Sequence, residues 1–259
     1  MFENAAAYES FMGRWSRGIA PLLLDFSHIR DGWHVLDVGS GTGSLALELA
    51  QAKPNCQITG IDPSPEYVAY AGSRVSNHAV TFEVGDAQQL AYPARKFDAI
   101  LSLLALNFVP DPRRALAEMK RVTRAGGCIC AAVWDYGGRV DMLRIFWNAA
   151  VSLDSQAEEK DERHMPLCRA GELRQLWNDA GLAEVEEQPL EIATRFNSFD
   201  DYWQPFQAGQ GPAGAYVARL SPDRRLELCG KIKQLLPEDS KTGSFDLKAR
   251  AWAVRGTVR

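Results

Sequence analysis

What this sequence lacks narrows it first. It has no basic excess: 29 Lys and Arg stand against 33 Asp and Glu, a net charge of −4 at pH 7. A protein that lives on a DNA or RNA backbone usually carries the opposite balance, so nucleic acid is not an expected partner. It has no long hydrophobic run. The longest, Ala99 to Val109, is broken by Ser102 and Asn107, whereas a membrane span needs about 20 apolar residues. The opening residues Met1-Phe2-Glu3-Asn4 do not form a basic start to an apolar stretch, so no secretory leader is expected and a cytoplasmic location is. Cysteine is sparse. Cys56, Cys128, Cys130, Cys168 and Cys229 are odd in number and lack framework spacing, which argues against a disulfide-built fold. Cys128 and Cys130 read as small core residues on one face of a strand. Histidine is scarcer still. His28, His34, His78 and His164 show no metal-ligand spacing, so no metal site is expected. G-x-S-x-G and G-x-x-x-x-G-K-[ST] are both absent. The serine-hydrolase elbow and the P-loop therefore have no anchor.

What is present is a globular α/β pattern. Hydrophobic residues make up 46% and charged residues 24% of the 259, an ordinary globular composition. Five short apolar runs read as buried strands: His34–Val38, Gln57–Ile61, Val80–Val84, Phe97–Leu104 and Cys128–Trp134. Helical patterns fall between them at Ser44–Gln51, from Pro65 (with Ser64 as its cap), and at Pro112–Arg124, with Gly126-Gly127 as the expected stop. Strands alternating with helices predict a mostly parallel sheet covered on both faces. After Trp134 the periodicity loosens. Arg139–Leu153 and Gly171–Ala180 read as helices, Glu184–Phe196 as a long strand and Ala249–Val258 as a last strand. The simplest organisation is one domain over 1–259: a helical cap over 1–30, a core over 31–136, variable segments 137–170 and 197–247, and late strands 184–196 and 249–258.

The break after the first strand, Gly39-Ser40-Gly41-Thr42-Gly43, carries the chemistry. A glycine turn between a buried strand and a helix lets a ligand approach the backbone and aims amide N–H groups at negative charge. Asp62 closes the second strand and is placed to accept hydrogen bonds from ribose hydroxyls. These features fit a dinucleotide or another adenosine-containing cofactor. The dinucleotide spacing G-x-G-x-x-G fails from Gly39, where Ser44 occupies the last place, but the looser form ending in alanine runs from Gly41 to Ala46. Asp37, inside the first strand, would repel a pyrophosphate and attract a cationic ligand end.

The run Val35-Leu36-Asp37-Val38-Gly39-Ser40-Gly41-Thr42-Gly43 resembles the first motif of class I S-adenosylmethionine-dependent methyltransferases. Gly60-Ile61-Asp62-Pro63-Ser64, Val84-Gly85-Asp86-Ala87, Phe97-Asp98-Ala99-Ile100 and Arg124-Ala125-Gly126-Gly127 are similar to that family's later stations, in order, across residues 33–134. The nearest flavour is the small-molecule branch, similar to quinone-biosynthesis enzymes. The resemblance implies a doubly wound, seven-stranded Rossmann-like sheet whose helical insertions form a lid. It implies S-adenosylmethionine as cofactor, S-adenosylhomocysteine as product, and in-line displacement by a small-molecule acceptor. Gly39, Ser40, Gly41, Thr42 and Gly43 would pack against the methionine part, with Asp37 near its amino group. Asp62, beside Pro63, would hold the ribose. Asp86 would accept from the adenine amino group, with the Ala87 N–H nearby, and Ser102 and Leu103 would line the sulfonium region. Tyr8, Arg14 and Trp15 are candidates for a segment folding over the cofactor. The family's histidines after the fourth strand are replaced here by Asn107-Phe108, so no catalytic residue is assigned.

Plainer readings stand beside these. Asp37 could cap its own turn, Asp62 could be a helix-entry residue, and Asp86 could be a turn residue. Trp134, Tyr136, Trp203 and Phe206 are candidates for a substrate wall, or for core. Arg139 and Arg144 could meet an acidic substrate group, or lie on a solvated helix face. His164 could be a general base or an ordinary surface histidine. Two other function classes remain: a nicotinamide-dependent oxidoreductase using Gly41–Ala46, and a non-catalytic S-adenosylmethionine-binding protein. Oligomeric state and acceptor are left open.

Overall fold

The structure, a computed structural model, describes residues 5–75, 79–241 and 243–259. The readings of Met1–Asn4 and of His78 lie outside them. Each early apolar run forms a strand: β1 His34–Val38, β2 Gln57–Asp62, β3 Val80–Val84, β4 Phe97–Leu103 and β5 Thr123–Trp134. The late strands are β6 Ala183–Phe196 and β7 Phe245–Thr257. They join one seven-stranded sheet in the order β3-β2-β1-β4-β5-β7-β6. β1 pairs in parallel with β2 and with β4, β2 with β3, and β4 with β5, while β5 and β7 are antiparallel. A strand buried on both faces reads as a continuous apolar run, and β4 is buried at six of its seven positions.

Two helices start as their local sequence dictates. Ser64 accepts from the Tyr67 N–H at 3.3 Å and caps α4 (Pro65–Ser73). Asp111 accepts from the Arg114 N–H at 3.0 Å and caps α5 (Pro112–Val122). In both, proline takes the first helical place, where its missing N–H costs nothing. α5 corrects the expected boundary. It ends at Val122, and the strand begins at Thr123 rather than after the glycine pair. The register of β4 against β5 shifts between Phe97 and Ala99. Gly126 has φ +72, and a β-carbon on Gly127 would lie 2.6 Å from the Asp98 carbonyl oxygen. The glycines therefore shape a bulge inside β5 instead of stopping the helix. Among the described residues the other α-helices are α1 Ala5–Tyr8, α2 Arg14–Ser27, α3 Ser44–Ala52, α6 Asp141–Leu153, α7 Glu172–Asp179, α8 Phe199–Gln207, α9 Gly211–Arg219 and α10 Pro222–Leu235.

The chain divides into two compact units. One holds Ser16–Trp134, Pro166–Leu190 and Ala251–Arg259. Its core packs Leu36, Ile100, Leu116, Met119, Ile129, Trp177 and Val254, and the buried Trp177 indole N–H donates to the Ile129 carbonyl at 3.1 Å. The other unit holds residues 5–15 together with Asp135–Met165 and Glu191–Arg250. It is built on rings. Phe206 stacks on Phe146 at 4.6 Å and meets the edge of Phe11 at 5.3 Å, and Phe196 stacks on Phe245 at 5.4 Å. In the same unit the Asp161 side chain is fully buried and takes both Arg144 and Arg163, the latter at 2.7 Å.

Candidate functional site

The strand order reverses at β1: β2 lies on one side and β4 on the other, and the chain crosses between them. In open parallel sheets ligands bind beyond the carboxyl ends of the strands at such a switch point. The turn that leaves β1 there is the glycine run. Gly39, Gly41 and Gly43 have φ of +73°, +53° and +86°, a region that residues with a β-carbon enter at a cost. The loop is tied to β2: the Gly39 and Ser40 N–H groups both donate to the Ile61 carbonyl, at 2.9 and 2.8 Å. A β-carbon on Gly41 would meet nothing within 4 Å, so the middle of the loop borders open space.

Asp37 sits under this loop, 1% exposed. Neither carboxylate oxygen has a hydrogen-bond partner, and the hydroxyls of Ser40 and Ser44 are likewise buried and unpartnered. Burial, joined by repulsion from Asp62, pushes the Asp37 carboxyl up to about 7, and the nearby Ala46 N–H offsets this only in part. A buried carboxylate without a donor is costly unless something cationic meets it. Asp62 is differently placed. Its oxygens accept from the Gly41 N–H at 3.0 Å and the Ser64 N–H at 2.9 Å, so it braces the glycine loop and the entry to α4 together. Each oxygen keeps a second acceptor site. Burial raises its pKa also. These acceptors fit a ligand that offers an ammonium and a pair of hydroxyls, as S-adenosylmethionine does. They do not suit a pyrophosphate.

The other anticipated residues fall into two sets. Pro63 follows Asp62, and the Gly85 N–H donates to the Asp62 carbonyl at 3.1 Å, which brings Asp86 and Ala87 to the end of the neighbouring strand. Asp86 is exposed, and its carboxylate accepts from the Gln88 N–H at 2.8 Å in a tight turn. Ser102 and Leu103 end β4. The Ser102 hydroxyl is already spent, donating to the Val38 carbonyl at 2.8 Å. Thr42 is buried within the loop, and Trp134 is buried at the end of β5.

Tyr8, Arg14, Trp15, Tyr136, Arg144, Trp203 and Phe206 belong to the aromatic unit. There Arg14 pairs with Asp201 at 2.5 Å and lies over the Phe196 ring. Trp15 and Phe206 are fully buried, Tyr136 and Trp203 nearly so, and Tyr8 half-buried. Arg144 corrects the expectation of a solvated helix face, because its guanidinium is held by the buried Asp161. Arg139 is on the surface and pairs with Glu191 at 3.2 Å. His164 is exposed and meets Glu158 at 3.1 Å.

Sequence reasoning missed Leu104 and Ala105. Leu104 has φ +61, and a β-carbon on Gly39 would overlap the Ala105 methyl. Leucine carries no turn signal, so nothing in the sequence marks this conformation. It also missed Glu162, which accepts from the Trp147 indole N–H at 2.7 Å and is pushed up to about 7 by burial. Among the described residues no group of three or more His, Cys, Asp or Glu could hold a metal ion, and no helix is long and apolar enough to cross a membrane.

Residues 36–131 match the family model described as a methyltransferase domain. The matched stretch takes in the glycine loop, Asp62, Asp86 and the end of β4. It is 33% identical over 119 residues to the chloroplastic 2-methyl-6-phytyl-1,4-hydroquinone methyltransferase 1 of Oryza sativa subsp. japonica, covering 46% of this chain and 36% of that protein. It is 27% identical over 215 residues to the demethylmenaquinone methyltransferase of Symbiobacterium thermophilum, covering 74% and 85%. The chain spans less than half the length of the first curated relatives it matches. In fold it is similar to Haemonchus contortus phosphoethanolamine N-methyltransferase 2, solved with S-adenosylhomocysteine, at a TM-score of 0.61 and 18% identity over 98% of this chain and 57% of that one.

Proposed function

We propose that this protein binds S-adenosylmethionine at the glycine loop and transfers its methyl group to a small-molecule acceptor. The observation that carries this reading is the buried Asp37 carboxylate, with no hydrogen-bond partner on either oxygen, beneath a loop of three left-handed glycines. When bound, S-adenosylmethionine supplies a methyl group on a cationic sulfur, open to in-line displacement. The chain's own part is to bind and to position. Asp37, with the Ser40 and Ser44 hydroxyls, accepts from the ammonium. Asp62 accepts from the ribose hydroxyls while keeping its two backbone bonds, so the loop and the ribose are fixed by one carboxylate. Asp86 and the Ala87 N–H serve the adenine edge. The Gly39–Gly43 backbone packs on the methionine portion, and the end of β4 closes the sulfur side and keeps water out.

The small-molecule acceptor is supported by the relatives' names, a hydroquinone and a demethylmenaquinone methyltransferase. In this reading the variable segments 137–170 and 197–247 carry acceptor recognition, since loops on a rigid scaffold commonly hold specificity. The net charge of −4 supports an acceptor other than nucleic acid, and a cytoplasmic location belongs to the same proposal. Calorimetric titration with S-adenosylmethionine, S-adenosylhomocysteine and NADH tests it. Saturable binding of the first two without NADH is expected. Binding of NADH alone would overturn the assignment and favour the oxidoreductase register.

A further inference from the structure

Among the described residues, five non-glycines have positive φ: His28, Arg95, Leu104, Leu167 and Glu184. His28, Arg95 and Glu184 are exposed and Leu167 is half-buried. Leu104, at φ +61, is buried. The left-handed region costs such a residue about 1–2 kcal/mol, and it persists only where the surroundings over-determine it. Here they act from two strands. The Ser102 hydroxyl donates to the Val38 carbonyl at 2.8 Å and fixes the end of β4 to the end of β1. The Leu104 N–H donates to the Ala132 carbonyl at 2.7 Å and fixes it to β5. The turn then delivers the Ala105 methyl onto Gly39, into the space where any other residue at 39 would carry its β-carbon. Ala105 is held on its far side too, because the Phe108 N–H returns to its carbonyl at 3.0 Å.

We propose that the Leu104–Ala105 turn is a positioning device for the cofactor loop. Left-handed Leu104 fixes where the Ala105 methyl stands, and that methyl fixes the seat of Gly39 and so of the whole Gly39–Gly43 run. The side chain at 105 is therefore a size-critical determinant of cofactor affinity. Strand β4 is pinned by two hydrogen bonds on this side. The glycine loop is itself tied to β2 through Gly39 and Ser40, and in this proposal added bulk at 105 is relieved there, lifting both from the Ile61 carbonyl. The functional consequence rests on the cofactor reading above, whereas the steric coupling does not.

The test compares wild type with Ala105→Val, Leu104→Val and Leu104→Asn. Two readouts are taken: amide hydrogen exchange of Gly39, Ser40 and Gly43, and the Kd for S-adenosylhomocysteine. Ala105→Val is expected to speed exchange of those amides and raise Kd at least tenfold, with β2 protection unchanged. In a turnover assay the KM for S-adenosylmethionine should rise while kcat is kept. Leu104→Val, whose β-branched side chain resists the left-handed region, should behave alike. Leu104→Asn, which tolerates it, should keep wild-type loop exchange and Kd, although its buried amide lowers the melting temperature. A folded Ala105→Val with wild-type loop exchange would overturn the proposal. Should that variant fail to fold, Ala105→Ser carries the same test with one added atom. If wild type binds no S-adenosylhomocysteine while Ala105→Val still speeds loop exchange, the cofactor reading falls and the positioning device stands. If wild type binds and the variant matches it in both readouts, the reverse holds.

Discussion

The isolation of Asp37 dictates a particular pH profile for cofactor binding. Its carboxyl ordinarily titrates at 3.8 and is held here at about 7, first by burial and then by Asp62. An ammonium pairs with the ionised form, so below pH 7 each binding event must first remove a proton. At pH 5.5 affinity should be about 30-fold weaker than its plateau, which is about 2 kcal/mol. The ligand's own α-amino group loses its charge near pH 7.7–8.0, so affinity should pass through a maximum between pH 7 and 8. Stability of the ligand-free protein moves oppositely. The folded state keeps a proton at Asp37 that the unfolded chain has released, so stability drops as pH rises from 3.8 to about 7, by about 4 kcal/mol at most. Asp37→Asn removes that cost. It should therefore melt higher than wild type at pH 8 and yet bind more weakly, by the about 1.5–3 kcal/mol of a hydrogen bond to a charged group. Its affinity should also lose the acid limb. Calorimetric titration with S-adenosylhomocysteine from pH 5.5 to 9, with thermal melts at each pH, reads both quantities. An acid limb that survives in Asp37→Asn, or a wild-type affinity flat from pH 5.5 to 7, would refute the assignment of Asp37 to the ammonium.

Other perturbations follow from the same geometry. Asp62→Ala releases the Gly41 and Ser64 N–H groups; its Kd for S-adenosylhomocysteine should rise by about 10- to 150-fold, equivalent to about 1.5–3 kcal/mol. It should also move the Asp37 midpoint downward, because a repelling neighbour is gone. Gly39→Ala meets both a φ of +73° and the Ala105 methyl, so a thermal melt should show a loss of about 1–3 kcal/mol and titration should show no cofactor binding. Asp161→Asn leaves Arg144, with a side chain 12% exposed, unpaired. Urea unfolding followed by tryptophan fluorescence should report a loss of about 3 kcal/mol, the lower end for breaking a buried pair. A change under about 0.5 kcal/mol, the range of ordinary surface substitutions, would show that the pair contributes nothing to the aromatic unit.

The parallel half of the fold was legible because its signals are local. A strand buried on both faces reads as apolar throughout, and the start of α4 is marked by Ser64, whose side chain bonds within three positions. The boundary between α5 and β5 was not legible, because a glycine pair has two readings. It can stop a helix or make a bulge, and the choice lies with the Asp98 carbonyl pressing on Gly127 from another strand. The Arg144–Asp161 pair was hidden for a similar reason. Its members are 17 residues apart, and helical periodicity places an arginine on a face without saying what waits opposite.

The candidate site divides along the same line. Three alternating glycines announce a backbone that no other residue adopts cheaply, and an acid inside an apolar strand announces a charge in need of a partner. Both are properties of residue type, so Gly39, Gly41, Gly43, Asp37 and Asp62 could be read directly. What the site requires of Leu104 and Ala105 is a conformation and a size. Alanine and leucine satisfy many environments, and nothing in their identity reveals that one is strained and the other packed onto a glycine. The same holds for acceptor recognition. The proposed reaction works by placement and needs no obligatory acid or nucleophile, so residue type carries no signal of its selectivity. The resemblance at the cofactor motifs therefore stops where recognition by shape begins. The acceptor has to be sought by assaying candidate molecules rather than by searching the sequence for another motif.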